Sequence, residues 1–173
     1  WMGRIDKDKA PHYAILAAKK LNQKIKILGE PKYQLDYIQN LLNDKTVEVV
    51  GTVHGDEKMK IISEAKCAIY TLDKDYIEAG AGVLGEYLIS GVSIAAISWR
   101  GNDAVCEAVD QPQLGQIQNV NPSMSEEEIV NKLSESIIAC KKLDRRIIYQ
   151  IGQDKYNMIK IMKRIFAIMD RAN

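Results

Sequence analysis

Apolar residues in this chain gather in short runs, separated by stretches where they recur at helical spacing. KIKIL, VEVVG, CAIYTL and SIAAIS are the runs, and GQIQNV reads as a last strand. Apolar residues on both sides of a strand suit a sheet covered on both faces. Between the runs, Pro11 opens a helical pattern carrying Ile15, Leu16 and Leu21, and a second proline-started pattern covers PKYQLDYIQNLLND. GDEKMKIISEAK and IEAGAGVLGEYLISG follow as two more helical segments. Strands alternating with helices of this length imply crossover connections and a parallel sheet. The expected fold is α/β, a Rossmann-like doubly wound parallel sheet of about six strands with helices on both faces, its first strand leading into Gly3-Arg4. Residues 1–173 suit a single domain with one core.

After Trp99 the pattern loosens into a short helix over NDAVCEAV and a turn-rich QPQLG. SEEEIVNKLSESIIACKKL then opens with a capping box from Ser125 to Glu128. The final segment, DKYNMIKIMKRIFAIMDR, carries two adjacent apolar stripes. One is Met158, Ile161, Ile165 and Ile168; the other is Ile159, Met162, Phe166 and Met169. Together they are wider than one surface helix needs. Either the helix is deeply buried on this domain, or one stripe covers the domain and the other meets a packing partner, a second domain or subunit. The opening WMGRID has no lead-in, which suggests a domain cut from a longer protein.

Charge narrows the ligand classes. With 24 basic and 23 acidic side chains the net charge is +1, so no bulk field favours nucleic acid or a membrane surface. An anionic ligand must be held locally. Cys67, Cys106 and Cys140 are odd in number and form no CxxC pair, which reads as reduced, buried thiols in a cytoplasmic protein. No apolar run is long enough to span a bilayer, and no signal peptide is evident. His12 and His54 lack Cys, Asp or Glu at metal-ligand spacing, so no metal site is expected. There is neither a P-loop nor a GxGxxG fingerprint.

In a doubly wound sheet, ligands bind beyond the carboxyl ends of the strands, and three segments converge there. Arg4 and Lys9, in the loop before the Pro11 helix, suit a diphosphate, through a guanidinium fork and a compact ammonium. They equally suit surface pairing with Asp6 and Asp8. The second segment is IEAGAGVLGEYLISG, where Glu78 and Glu86 bracket a run of small residues ahead of a helix starting near Ala81. Unpaired amides of Ala81, Gly82 and Val83 make an anion site, and carboxylates accept hydrogen bonds from sugar or ribose hydroxyls. Glu78 as a loop charge and Glu86 as a helix-surface charge is the plainer alternative. The third is GTVHG, where Val53 is placed to flank a planar base and His54 reads as an ordinary loop residue.

Arg4 and Lys9 in GRIDKDKAPHYAILAAKKL, the βα units from VEVVGTVHG to CAIYTL, and E-x7-E at Glu78 and Glu86 appear in this order. The arrangement resembles the donor-binding C-terminal domain of retaining glycosyltransferases of family 4, the group 1 glycosyl transferases, one half of a GT-B fold. The resemblance implies that Arg4 and Lys9 hold the nucleotide diphosphate, that Glu78 contacts the donor sugar and that Glu86 holds the ribose. It implies that backbone from Ala81 to Leu84 approaches the phosphates and that Val53 flanks the base. It further implies a UDP- or GDP-linked hexose donor, no cofactor and no metal, an N-terminal acceptor domain outside this sequence, and little activity of this domain alone. Any membrane association would come through that missing domain. Ala79, Gly80 and Ala81 stand where the family has Pro, a bulky residue and Gly, and Ser93 where it often has proline. SWRGNDAVCEAV is longer than the matching loop. Two other readings stay open, a non-catalytic nucleotide-sugar-binding module and an unrelated Rossmann-like domain.

Overall fold

The computed structural model describes residues 1–32 and 35–172, and side chains as far as Asp170. Five parallel strands and eight helices alternate along these residues: α1 (Pro11–Lys20), β1 (Ile25–Leu28), α2 (Gln39–Leu42), β2 (Val47–Gly51), α3 (Gly55–Glu64), β3 (Ala68–Tyr70), α4 (Gly82–Ile89), β4 (Ile94–Ser98), α5 (Ala104–Ala108), β5 (Gly115–Asn119), α6 (Glu126–Cys140), α7 (Arg145–Tyr156) and α8 (Met158–Ala172). β1 pairs with β2, and β3-β4-β5 form a second sheet, all parallel.

The strands alternate between two cores, as a sheet covered on both faces requires. Ile25 and Ile27 of β1, Ile69 of β3, and Ala95 and Ile97 of β4 pack with α1 and α6, through Ala14, Ile15, Leu133 and Ile137. The alternate positions Ala68, Tyr70, Ile94 and Ala96 pack with α4, α5 and α7, through Leu84, Leu88, Val105 and Ile148. β4 is buried at every position, whereas β2 at the edge is partly exposed throughout.

Four expectations need correction. The sixth strand, expected ahead of Gly3-Arg4, is reduced to hydrogen bonds from Trp1 and Gly3 to β1 and a single bridge between Met2 and Leu28. That pairing brings the chain so close that Gly29, at φ +143°, could not carry a Cβ, which would lie 1.8 Å from the Gly3 carbonyl oxygen. The helix expected over PKYQLDYIQNLLND, of which Tyr33 and Gln34 lie outside the described residues, is a single turn. Pro31 instead bridges to Ile5. The C-terminal segment is two helices, because Asn157 takes ψ 113° and ends α7. Burial also differs, with Cys140 buried and Cys67 and Cys106 only partly so; all three are free thiols.

The capping box forms as expected. Ser125 accepts from the Glu128 N–H, and the Glu128 carboxylate accepts from the Ser125 N–H at 2.7 Å. No described helix is long and apolar enough to cross a membrane.

Candidate functional site

Two loops meet at the carboxyl ends of the strands. The first, residues 4–10, is wound around Asp6. This buried carboxylate accepts from the Lys9 N–H at 3.1 Å and pairs with the Arg4 Nε at 3.2 Å. Such Asp-centred loops satisfy local backbone donors before a helix begins. Pro11, whose φ is preset for a helix, then starts α1. The second loop, residues 71–81, runs from β3 to α4. Its backbone is held by Trp99 Nε1 on the Leu72 carbonyl (2.8 Å) and by Arg100 on the carbonyls of Lys74 (2.7 Å) and Tyr76 (3.3 Å). Arg100 is in turn paired with buried Asp103, whose second oxygen accepts from the Ser98 hydroxyl and the Trp99 N–H.

Thr71 locks the loops together. Its hydroxyl lies 2.9 Å from the carbonyls of Lys9 and Ala10 and accepts from Trp1 Nε1 at 3.0 Å. The Asp73 N–H donates to the Asp8 carbonyl. This registration brings Lys9 and Glu78, which are 69 residues apart, into an ion pair. Both side chains are largely buried, 14% and 16% exposed. The same Glu78 oxygen accepts from the Tyr70 hydroxyl at 2.8 Å. Burial, and then the bond to Glu78, push the Tyr70 phenol well above its ordinary pKa, so it remains a donor. Lys9 also sits 4.9 Å from the centre of the Tyr76 ring, within cation–π range.

Glu86 is paired as well, its carboxylate 2.5 Å from the Lys58 ammonium of α3. Each acid of the E-x7-E spacing therefore has a lysine. The cavity between them has a volume of about 260 Å³, and its walls include Gly3, Lys9, Tyr70, Glu78, Gly82 and Glu86. Ala81 and Val83 complete the wall at the start of α4, where Ala81 is the N-cap without a side-chain cap.

Other candidate residues fall outside this cavity. Arg4 is half-exposed and engaged by Asp6 and Asp8, which is the surface-pairing alternative. Leu84 is buried in the core and its N–H already donates to the Ala81 carbonyl, so it offers no free amide. Val53 lies in the loop after β2 and does not line the cavity. Tyr70, Tyr76, Lys58 and Arg100 are the side chains that sequence reasoning missed. Only Tyr70 carried a signal, since strand alternation places it on the α4 side of β3. Among the described residues no three His, Cys, Asp or Glu side chains converge as a metal site.

Behind the Lys9 loop a second cavity, of about 410 Å³, is lined by Lys7, His12, Asp36, Tyr37 and Asp73. The His12 ring packs against Tyr13 and Tyr37, and its buried Nδ1 has no hydrogen-bond partner among the described residues. Burial outweighs the opposing pull of Asp73 and lowers its pKa to about 4. A folded-state pKa below the unfolded one gives a contribution that is intact above pH 6.5 and lost as pH falls from 6.5 toward 4. With partial solvent relaxation, the loss by pH 4 is about 2 kcal/mol. Denaturation of wild type and His12→Phe across that window measures it. The wild-type stability should fall more steeply with acid than that of the variant, and parallel curves would refute the assignment.

Comparison with known proteins gives the family and the fold. The sequence pattern described as Glycosyl transferases group 1 matches residues 1–153. No match was found among curated proteins. Among solved structures, the GtfA/B complex superposes with a TM-score of 0.79 at 14% identity, over 99% of this chain and 35% of that one. The pneumococcal O-GlcNAc transferase GtfA, solved with UDP and GlcNAc, gives 0.72 at 17% identity over 98% and 34%. Anabaena HepE, solved with UDP, gives 0.70 at 15% identity over 98% and 47%. The chain thus spans about a third to a half of the length of these solved chains. These likenesses establish a Rossmann-like half of a GT-B fold. With the family pattern covering nearly the whole sequence, the chain belongs to the group 1 glycosyl transferases.

Proposed function

We propose that this chain is the donor-binding part of a retaining glycosyltransferase that moves a hexose from a nucleoside diphosphate sugar to an acceptor held by a second domain. The observation that carries this reading is the Lys9–Glu78–Tyr70 cluster, set beside the start of α4 and Glu86 in one cavity. Lys9 is the cation for the diphosphate, and the N–H groups of Ala81, Gly82 and Val83 lie where a helix N-terminus stabilises negative charge. Glu86 accepts from the ribose hydroxyls and Glu78 from the sugar. As the bond from sugar to diphosphate breaks, charge builds on the leaving phosphate, and Lys9 and these amides stabilise it. Arg4 contributes only if it leaves Asp6 and Asp8.

UDP accompanies two of the similar structures, the transferase GtfA and HepE, which makes a uridine donor the first to test. Calorimetric titration with UDP, GDP and their sugars should show weak binding to this domain, and Glu86→Ala should abolish it. No heat at millimolar ligand, or binding indifferent to Glu86→Ala, would sink the assignment.

The acceptor side falls to the remainder of a longer protein, in keeping with the share of the solved chains that this one spans. The exposed apolar side chains of α8, among them Met158, Ile159, Phe166 and Ile168, form the face proposed to pack against that second domain. The working compartment under this reading is the cytoplasm.

A further inference from the structure

Glu78 is carried by a stretch of chain with little to hold it locally. Ile77 is 71% exposed, Ala79 and Gly80 are exposed, and a Cβ added at Gly80 would meet nothing within 4 Å. Residues 77–80 make no backbone–backbone hydrogen bond among the described residues. Exposed backbone with so few contacts shifts at little cost in free energy. Lys9 and Tyr70 grip the carboxylate itself. On the donor-site reading, however, Lys9 turns to the diphosphate, and the anchored backbone then has to keep Glu78 in place.

The anchor is the turn that follows β4. Asp103, its side chain 4% exposed, closes this turn. One of its oxygens accepts from the Ser98 hydroxyl at 2.6 Å and the Trp99 N–H at 2.9 Å, and the other lies 3.6 Å from Arg100 Nη1. Braced in this way, the turn offers its side-chain donors to the neighbouring loop. Trp99 Nε1 takes the Leu72 carbonyl, and the Arg100 guanidinium spans the carbonyls of Lys74 and Tyr76. Tyr76 is the last point of attachment, two residues before Glu78, and its ring lies 4.9 Å from the Lys9 ammonium. A planar guanidinium fixes two acceptors at a set separation, which a single ammonium does not.

We propose that Arg100 is a positioning residue for the donor sugar: by spanning the carbonyls of Lys74 and Tyr76 it sets where the Glu78 carboxylate stands. The inference rests on the donor-site reading given above. Arg100 acts through Glu78 and not by contact, since it does not line the cavity that Glu78 and Glu86 share. Hydrogen bonds weaken steeply with distance and angle, so a displacement of Glu78 by about 1 Å loses the sugar. The diphosphate and the ribose are spared, because Lys9, the start of α4 and Glu86 belong to other elements.

The test is titration of wild type, Arg100→Ala and Arg100→Lys with UDP, UDP-glucose and UDP-N-acetylglucosamine. In Arg100→Ala the preference for the better sugar donor over UDP should fall by about five- to tenfold, the scale of one net hydrogen bond. UDP itself should bind within about threefold of wild type. Arg100→Lys keeps a cation beside Asp103 but cannot span both carbonyls, so it should recover part of the preference. In a Glu78→Gln background, Arg100→Ala should change the preference by less than about twofold, because Arg100 acts through that carboxylate. Equal weakening of UDP and its sugars would mark the turn as structural only and overturn the proposal. A shift that persists in the Glu78→Gln background, or a wild type with no preference for either sugar donor, would do the same. Failure of wild type to bind any of the three ligands would instead bring down the donor-site reading, and this inference with it.

Discussion

Gly152→Val is expected to destabilise the protein by about 3–5 kcal/mol, because the added side chain meets backbone rather than yielding side chains. Gly152 is a buried position of α7 packed on α4, and a Cβ there would lie 2.3 Å from the Leu88 carbonyl oxygen and 2.4 Å from its carbon. No rotamer of a neighbour relieves that contact. The helices must move apart, opening the core around Leu88 and Ile148, both nearly fully buried. Gly152→Ala carries the same Cβ and meets the same backbone, so it too should destabilise, by less than valine because it lacks the two γ-methyls and has the higher helix propensity. Gly80→Ala is the control. A Cβ there meets nothing within 4 Å, so stability should stay within about 0.5 kcal/mol of wild type. Denaturant unfolding of the three variants reads the series, and a Gly152→Val protein as stable as Gly80→Ala would disprove the packing account. α4 also carries Gly82 and Glu86, so any shift of α7 is felt at the candidate site.

That dependence bears on what the sequence could reveal. The elements whose identity follows from local pattern were legible: the apolar runs of β3 and β4, Pro11 at the start of α1, and the Ser125 capping box. The approach of Glu78 and Glu86 to one cavity was legible too, because a loop and the first turns of the following helix share a short stretch of chain. Three features were not. Periodicity runs on across Asn157, so nothing local marks the break between α7 and α8. The PKYQLDYIQNLLND pattern is helical in spacing, yet Pro31 is drawn into a bridge with Ile5 and only Gln39–Leu42 forms a turn of helix. The partners of the two acids come from distant segments, Lys9 from the loop before α1 and Lys58 from α3. Such pairings are set by tertiary registration, here Thr71 against Lys9 and Ala10, and no spacing rule predicts them. Arg4 shows the converse, since its local partners Asp6 and Asp8 were visible in sequence and they are the ones it takes.

Lys9→Met should weaken UDP binding by about 30- to 150-fold, the loss of about 2–3 kcal/mol that follows from removing a largely buried charge partner. The prediction for Glu78 has the opposite sign and is the sharper of the two. A diphosphate reaching this cavity competes with Glu78 for Lys9, because the ammonium already donates to the Glu78 carboxylate. Glu78→Gln removes the competing charge while keeping the size of the side chain and an acceptor for the Tyr70 hydroxyl. UDP alone should then bind several-fold more tightly than to wild type. A UDP-sugar should gain less, since its hydroxyls lose the carboxylate that would accept from them. On the proposed reading, wild-type Glu78 would then discriminate, weakening the bare diphosphate relative to a donor whose sugar takes over the carboxylate. Titration of wild type and Glu78→Gln with both ligands separates this account from a purely structural role for the pair. Structural damage would weaken both ligands together, whereas competition must tighten one and narrow the gap between them.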